Sequence, residues 1–127
     1  NLKNNMAKKI LFVEDEASLQ RAIGESLKKA GYEVLSAIDG QQAMDQIKSQ
    51  NFDLIVLDIV LPRIDGFEVL KKIKSDPEKK DIPVLVLTNL ETSGDVQKAL
   101  ELGATNYLVK ANYSLEQMIE KINSMLQ

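Results

Sequence analysis

The sequence predicts an α/β fold: a doubly wound parallel sheet of five β-α repeats in a single domain. Three observations carry this. Five short runs rich in branched apolar residues punctuate the chain, at Ile10–Val13, Val34–Leu35, Leu54–Leu57, Val84–Leu87 and Tyr107–Val109. Near-continuous apolar runs of that length read as strands buried on both faces, the mark of a parallel sheet. Between and after them, apolar residues recur at helical spacing, and capping or stop residues fall at the joins. Strict alternation of this kind requires right-handed crossovers and places helices on both faces of the sheet.

Each element follows in order. After the first strand, Leu19, Ala22, Ile23, Leu27 and Ala30 form one helical face, and Gly31 ends it with a residue suited to the left-handed conformation. Asp39 followed by Gln42 three residues later starts the second helix, carried by Ala43, Met44 and Ile47. Asp65 and Glu68 start the third, carried by Val69, Leu70 and Ile73 and stopped by Pro77. Pro83 opens the fourth strand, where a missing N–H is tolerated. Thr92 and Asp95 mark the fourth helix, with Val96, Ala99 and Leu100 before Gly103. Ser114 and Gln117 begin the last, with Leu115, Met118, Ile119, Ile122 and Leu126 on its apolar face. No linker, internal repeat or low-complexity stretch interrupts the pattern.

Composition narrows the chemistry. The chain has 127 residues and a formal net charge of −3, which speaks against a nucleic-acid binder that relies on a basic surface. Without cysteine or histidine, disulfides, thiolates, the usual zinc sites and every Ser–His or Cys–His triad are excluded. Carboxylates, hydroxyls, lysines and a hard metal ion remain. No apolar run approaches the roughly 20 residues that span a bilayer, and the first residues lack the apolar stretch of a secretory signal. Met6 reads as a native initiator, residues 1–7 as a flexible tail or remnant, and residues 8–127 as the domain; a cytoplasmic location with no membrane contact is the expectation.

In a doubly wound sheet, ligands bind outside the carboxyl ends of the strands. Glu14, Asp15 and Glu16 follow the first strand, Asp58 the third, Thr88 and Asn89 the fourth, and Lys110 the fifth. Each has an ordinary structural reading alone. Carboxylates complement a helix start, Asp is common in turns, Thr suits a strand end, and a lone Lys is usually solvated. Together they fall at the one kind of position where the fold builds sites. Clustered carboxylates repel one another unless a cation neutralises them. A few oxygen ligands with room for water describe Mg²⁺ better than a caged Ca²⁺. A cation beside Lys110 suits the oxygens of a transferring phosphoryl group, with Asp58 as the nucleophile.

From about Lys8 to Leu126 the chain closely resembles the receiver domain of bacterial two-component response regulators, which have a flavodoxin-like, CheY-like fold. The resemblance rests on six landmarks in order: Ile10 to Glu16 (ILFVEDE), Asp53 to Asp58 (DLIVLD), Leu61-Pro62-x-x-Asp65-Gly66, Val86-Leu87-Thr88, Gly103-Ala104-x-x-Tyr107, and Lys110. It implies a strand order 2-1-3-4-5. It also implies that Asp58 accepts a phosphoryl group from a phosphohistidine of a sensor kinase or phosphotransfer protein. By the same resemblance, Asp15, Asp58 and the Val60 carbonyl bind Mg²⁺ (or Mn²⁺), and Glu14 acts through a water. Thr88 and Lys110 contact the phosphoryl group, and Tyr107 is the aromatic switch. Gln97, Lys98, Glu101, Tyr107 and Asn112 become candidates for the face of helix 4, strand 5 and helix 5 that binds an output protein. The implied unit is a phosphoacceptor switch rather than a turnover enzyme, monomeric or dimerising on phosphorylation, without nucleic-acid contacts of its own.

Two departures from the family pattern set expectations. Ala111 stands where most relatives have a proline joined by a cis peptide; a non-proline cis bond costs roughly 2.5–4 kcal/mol, so a trans bond is expected. Val60 and Leu90, two residues past Asp58 and Thr88, are apolar and cannot orient an attacking water, which implies slow self-dephosphorylation. Two rival functions remain open. One is a magnesium-dependent phosphohydrolase, disfavoured because Val60 stands where an acid/base Asp belongs. The other is an adaptor that uses the scaffold without phosphorylation. With no effector segment before Gln127, the sequence reads as a free-standing regulator or as a receiver cut from a larger protein.

Overall fold

The computed structural model describes residues 7–89 and 93–127. Strands β1 (Lys9–Val13), β2 (Glu33–Ala37), β3 (Leu54–Asp58), β4 (Val84–Thr88) and β5 (Asn106–Val109) alternate with helices. The helices are α1 (Ala17–Lys29), α2 (Gly40–Ser49), α3 (Gly66–Ser75), α4 (Ser93–Glu101) and α5 (Leu115–Leu126), and a 3₁₀ turn, Lys110–Asn112, follows β5. All strands are parallel, in the order β2-β1-β3-β4-β5. This is the five-stranded flavodoxin-like arrangement the sequence implied.

Side chains of a strand alternate faces, so one sheet feeds two cores. Leu11, Val13, Ile55, Leu57, Val84 and Val86 pack with Ala43, Met44 and Ile47 of α2, Val69, Leu70 and Ile73 of α3, and Ala99 of α4. Ile10, Phe12, Leu54, Val56, Leu85, Leu87 and Leu108 pack on the other face with Ile23 and Leu27 of α1 and Met118 and Ile122 of α5. β1, β3 and β4 are buried on both faces. β2 and β5 differ from the sequence expectation: each is partly exposed, because each lies at an edge of the sheet where one flank lacks a neighbour.

The sequence's helix signals are realised as hydrogen bonds. Gln42 N donates to Asp39 Oδ1 at 2.8 Å and Glu68 N to Asp65 Oδ1 at 3.0 Å. Ser114 and Gln117 form a reciprocal capping box. Gly31 and Gly103 adopt φ of 101° and 103°, which turn the chain out of α1 and α4. The Thr92 cap and the tail up to Met6 lie outside the described residues. Glu16, the residue before α1, makes no side-chain cap.

Candidate functional site

β1 and β3 are neighbours, so the residues that end them are held side by side. Val13 pairs with Leu57, which sets Glu14 and Asp58 at the same edge. One carboxylate oxygen from each of Glu14, Asp15 and Asp58 lies within 4.8 Å of the others. Glu14 and Asp58 are buried, at 1% and 2% exposure, while Asp15 faces solvent.

Lys110, carried past β5 on the 3₁₀ turn, reaches back over this edge. Its Nζ lies 2.7 Å from Glu14 Oε1 and donates to Asp58 Oδ2 at 2.9 Å. The Lys110–Ala111 peptide is trans, as expected, and the lysine still reaches the aspartate. Asp58 Oδ1 accepts from Val60 N at 3.1 Å, a bond that fixes the carboxylate at the head of the β3–α3 loop. Gly66 closes that loop: a Cβ there would stand 2.4 Å from Asp58 O and from Ile59 Cα, so only glycine lets the start of α3 pack this close.

Electrostatically the cluster holds three carboxylates against one ammonium. Burial, with the neighbouring Asp58, raises the Glu14 pKa from 4.5 to about 7, although Lys110 opposes the shift. For Lys110, burial lowers the pKa, but hydrogen bonds and charge attraction from Glu14 and Asp58 outweigh it and leave the ammonium above its ordinary value. Glu14 Oε1 is buried and meets the Lys110 ammonium at 2.7 Å, while its Oε2 accepts from Glu16 N at 3.2 Å. An excess of negative charge and an oxygen-only donor set fit a hard divalent cation.

Thr88 ends β4, adjacent to β3, and is buried at 3% exposure. Tyr107 is not part of the cluster. It pairs with Val86, two positions short of the Thr88 level, and is 37% exposed. Gln97, Lys98, Glu101 and Asn112 are exposed as expected. Lys98, however, turns toward α3, with its ammonium 4.3 Å from the centre of the Phe67 ring, where cation–π attraction holds it. Leu90 lies outside the described residues.

Two supports escaped sequence reasoning. Gln20 Nε2 donates to the carbonyls of Glu14 (2.9 Å) and Ala37 (3.1 Å), tying together the exits of β1 and β2. Arg63 adopts φ of 67°, uncommon for a residue with a Cβ, and its Nε lies 3.2 Å from Asp39 Oδ2. The only sequence signal for either was a polar side chain beside a predicted strand end, which many surface residues share.

The family model for the response regulator receiver domain matches residues 10–123. The chain belongs to that family. It is 37% identical over 122 residues to the alkaline phosphatase synthesis transcriptional regulatory protein PhoP of Bacillus subtilis, covering 96% of this chain and 50% of that one. The chain thus spans about half the length of the curated relatives it matches. Among solved structures it resembles the chemotaxis response regulator CheY4 of Vibrio cholerae, with a TM-score of 0.87 and 32% identity, over 94% of this chain and 99% of that one. It also resembles the receiver domain of sensor histidine kinase PA1611 from Pseudomonas aeruginosa, solved with magnesium coordinated in its active-site cleft. There the TM-score is 0.83 and the identity 28%, over 94% and 98% of the two chains. As a response regulator receiver, the chain is a phosphoacceptor unit of two-component signalling, a class that works between histidine kinases and output effectors. Among the described residues, no helix is long and apolar enough to cross a membrane.

Proposed function

We propose that Asp58 is the phosphoacceptor of this receiver, and the observation that carries the assignment is its double anchorage. Lys110 holds Oδ2 and the Val60 amide holds Oδ1, so a buried carboxylate is fixed in place beside the acidic cluster. The oxygen attacks phosphorus of a phosphohistidine. An O–P bond forms as the N–P bond breaks, and the imidazole leaves with the bonding pair and takes up a proton. Lys110 neutralises charge on the phosphoryl oxygens, and Thr88, at the neighbouring strand end, offers a hydroxyl to them.

Asp15, Asp58 and the Val60 carbonyl would hold the divalent cation, with Glu14 acting through a water. Bound there, Mg²⁺ or Mn²⁺ would offset the repulsion between the carboxylate and the incoming phosphoryl group. The unit runs from residue 8 to 127 and works in the cytoplasm, taking its phosphoryl group from a sensor kinase or phosphotransfer protein. The exposed Tyr107 reports the state of the site to a partner at the α4–β5–α5 face, as a monomer or a phosphorylation-dependent dimer. Val60, which has no acid–base group, argues against a phosphohydrolase.

Incubation with acetyl phosphate and Mg²⁺, followed by intact mass, tests the assignment. One phosphoryl group is expected on the wild type and none on Asp58→Ala or after chelation of the metal. Equal labelling of Asp58→Ala overturns it, and no labelling of the wild type by acetyl phosphate or a panel of phosphohistidine donors favours the adaptor reading.

A further inference from the structure

A cavity of about 260 Å³ lies between α2 and α3, away from the acidic cluster. Met44, Ile47, Ile64 and Ile73 give it an apolar wall, and Lys48, Lys72 and Lys79 line it as well. Lys79 is 8% exposed. Its Nζ donates to the Gln50 carbonyl at 3.1 Å and to Asn51 Oδ1 at 2.9 Å, both neutral acceptors. Among the described residues, no carboxylate lies within ion-pair distance of any of the three lysines. The carboxylate that shares the cavity, Asp76, accepts a hydrogen bond from Glu78 N at 2.9 Å.

A largely buried lysine whose ammonium meets only neutral acceptors has no counter-charge beside it. The carboxyl end of α2 beside it contributes the equivalent of only about half a negative charge. Net positive charge therefore remains against an apolar wall, on a chain whose overall charge is −3. That pairing is complementary to an anion with a hydrocarbon body. Size agrees, since a cavity of about 150 Å³ already holds benzene.

We propose that the α2–α3 cavity binds a small organic acid, its ring or short hydrocarbon body against Met44, Ile47, Ile64 and Ile73 and its carboxylate on the third donor of Lys79. Lys48 and Lys72 supply positive charge at the rim. The site is independent of the role given to Asp58.

Titration of the full chain with benzoate, and with benzamide as its neutral twin, followed by amide NMR shifts, tests this. Benzoate should give saturable shifts centred on Met44, Ile64, Ile73 and Lys79, and benzamide should bind at least about tenfold more weakly, as expected for loss of a charge-assisted bond. Lys79→Met should abolish that preference. The exposed pair Lys48→Gln and Lys72→Gln, which leaves the core intact, should weaken benzoate several-fold and so decides the matter if Lys79→Met does not fold. Absence of saturable shifts, shifts scattered over the surface, or equal binding of benzoate and benzamide overturns the proposal.

Discussion

The ammonium of Lys110 sits 2.9 Å from Asp58 Oδ2, although the two residues are 52 positions apart and the peptide after the lysine is trans. The same ammonium contacts Glu14 at 2.7 Å. Removing it leaves two buried carboxylates facing each other. Lys110→Ala should therefore lower the stability of the metal-free protein by about 2–4 kcal/mol, and millimolar Mg²⁺ should recover part of the loss. Urea unfolding with and without the cation measures both; an unchanged midpoint in the metal-free variant would show that the ion pair contributes nothing.

Glu14 sets a pH dependence. Its pKa rises from 4.5 to about 7 in the folded state, so between those values the folded protein binds more protons than the unfolded chain. The stabilising contribution of the neutral carboxyl is fully present below about 4.5 and is lost as pH rises through about 7. Thermal unfolding of the metal-free protein across that window should show a downward component that Glu14→Gln removes. Parallel curves for the two proteins would contradict this.

Arg63 stands at φ of 67°, and its exposed side chain contacts the buried carboxylate of Asp39. A β-branched residue is worse placed there, and glycine is free to adopt it. Arg63→Val should cost about 1–2 kcal/mol, while Arg63→Gly should stay within about 1 kcal/mol of the wild type, because the Arg63 end of the ion pair is solvent-exposed and Asp39 keeps its bond from Gln42 N. Equal stability of the two variants would mean that the loop relaxes out of the left-handed conformation.

Val60 is 62% exposed, and its amide is bonded to Asp58. A water approaching a phosphoryl group on Asp58 would meet no side chain there able to orient it. Val60→Asn should speed loss of the phosphoryl group by several-fold to about 100-fold. Decay followed by phosphate release, at equal Mg²⁺, gives the comparison; matched rates would remove the explanation.

Much of the fold was legible from residues alone because a buried parallel strand and a capped helix leave strong local marks. The runs at Leu54–Leu57 and Val84–Leu87 became β3 and β4, and the Asp39, Asp65 and Ser114 signals became capping bonds. The edge character of β2 and β5 was hidden, since exposure of a strand depends on which neighbour it lacks. The acidic cluster was legible for a topological reason: parallel strands deliver all their carboxyl ends to one side.

What the sequence by itself determined was the set of groups at that side: Glu14, Asp15, Asp58, Thr88 and Lys110, with no histidine or cysteine to compete. Only tertiary structure decided how they share charge. Lys110 bridges two buried carboxylates, Asp15 stays in solvent, Lys98 leans on Phe67, and Lys79 lies buried at the end of α2 without a counter-ion. Local pattern sets which residues end a strand, whereas ionic contacts depend on distances across the sheet and on the water excluded between elements remote in the chain.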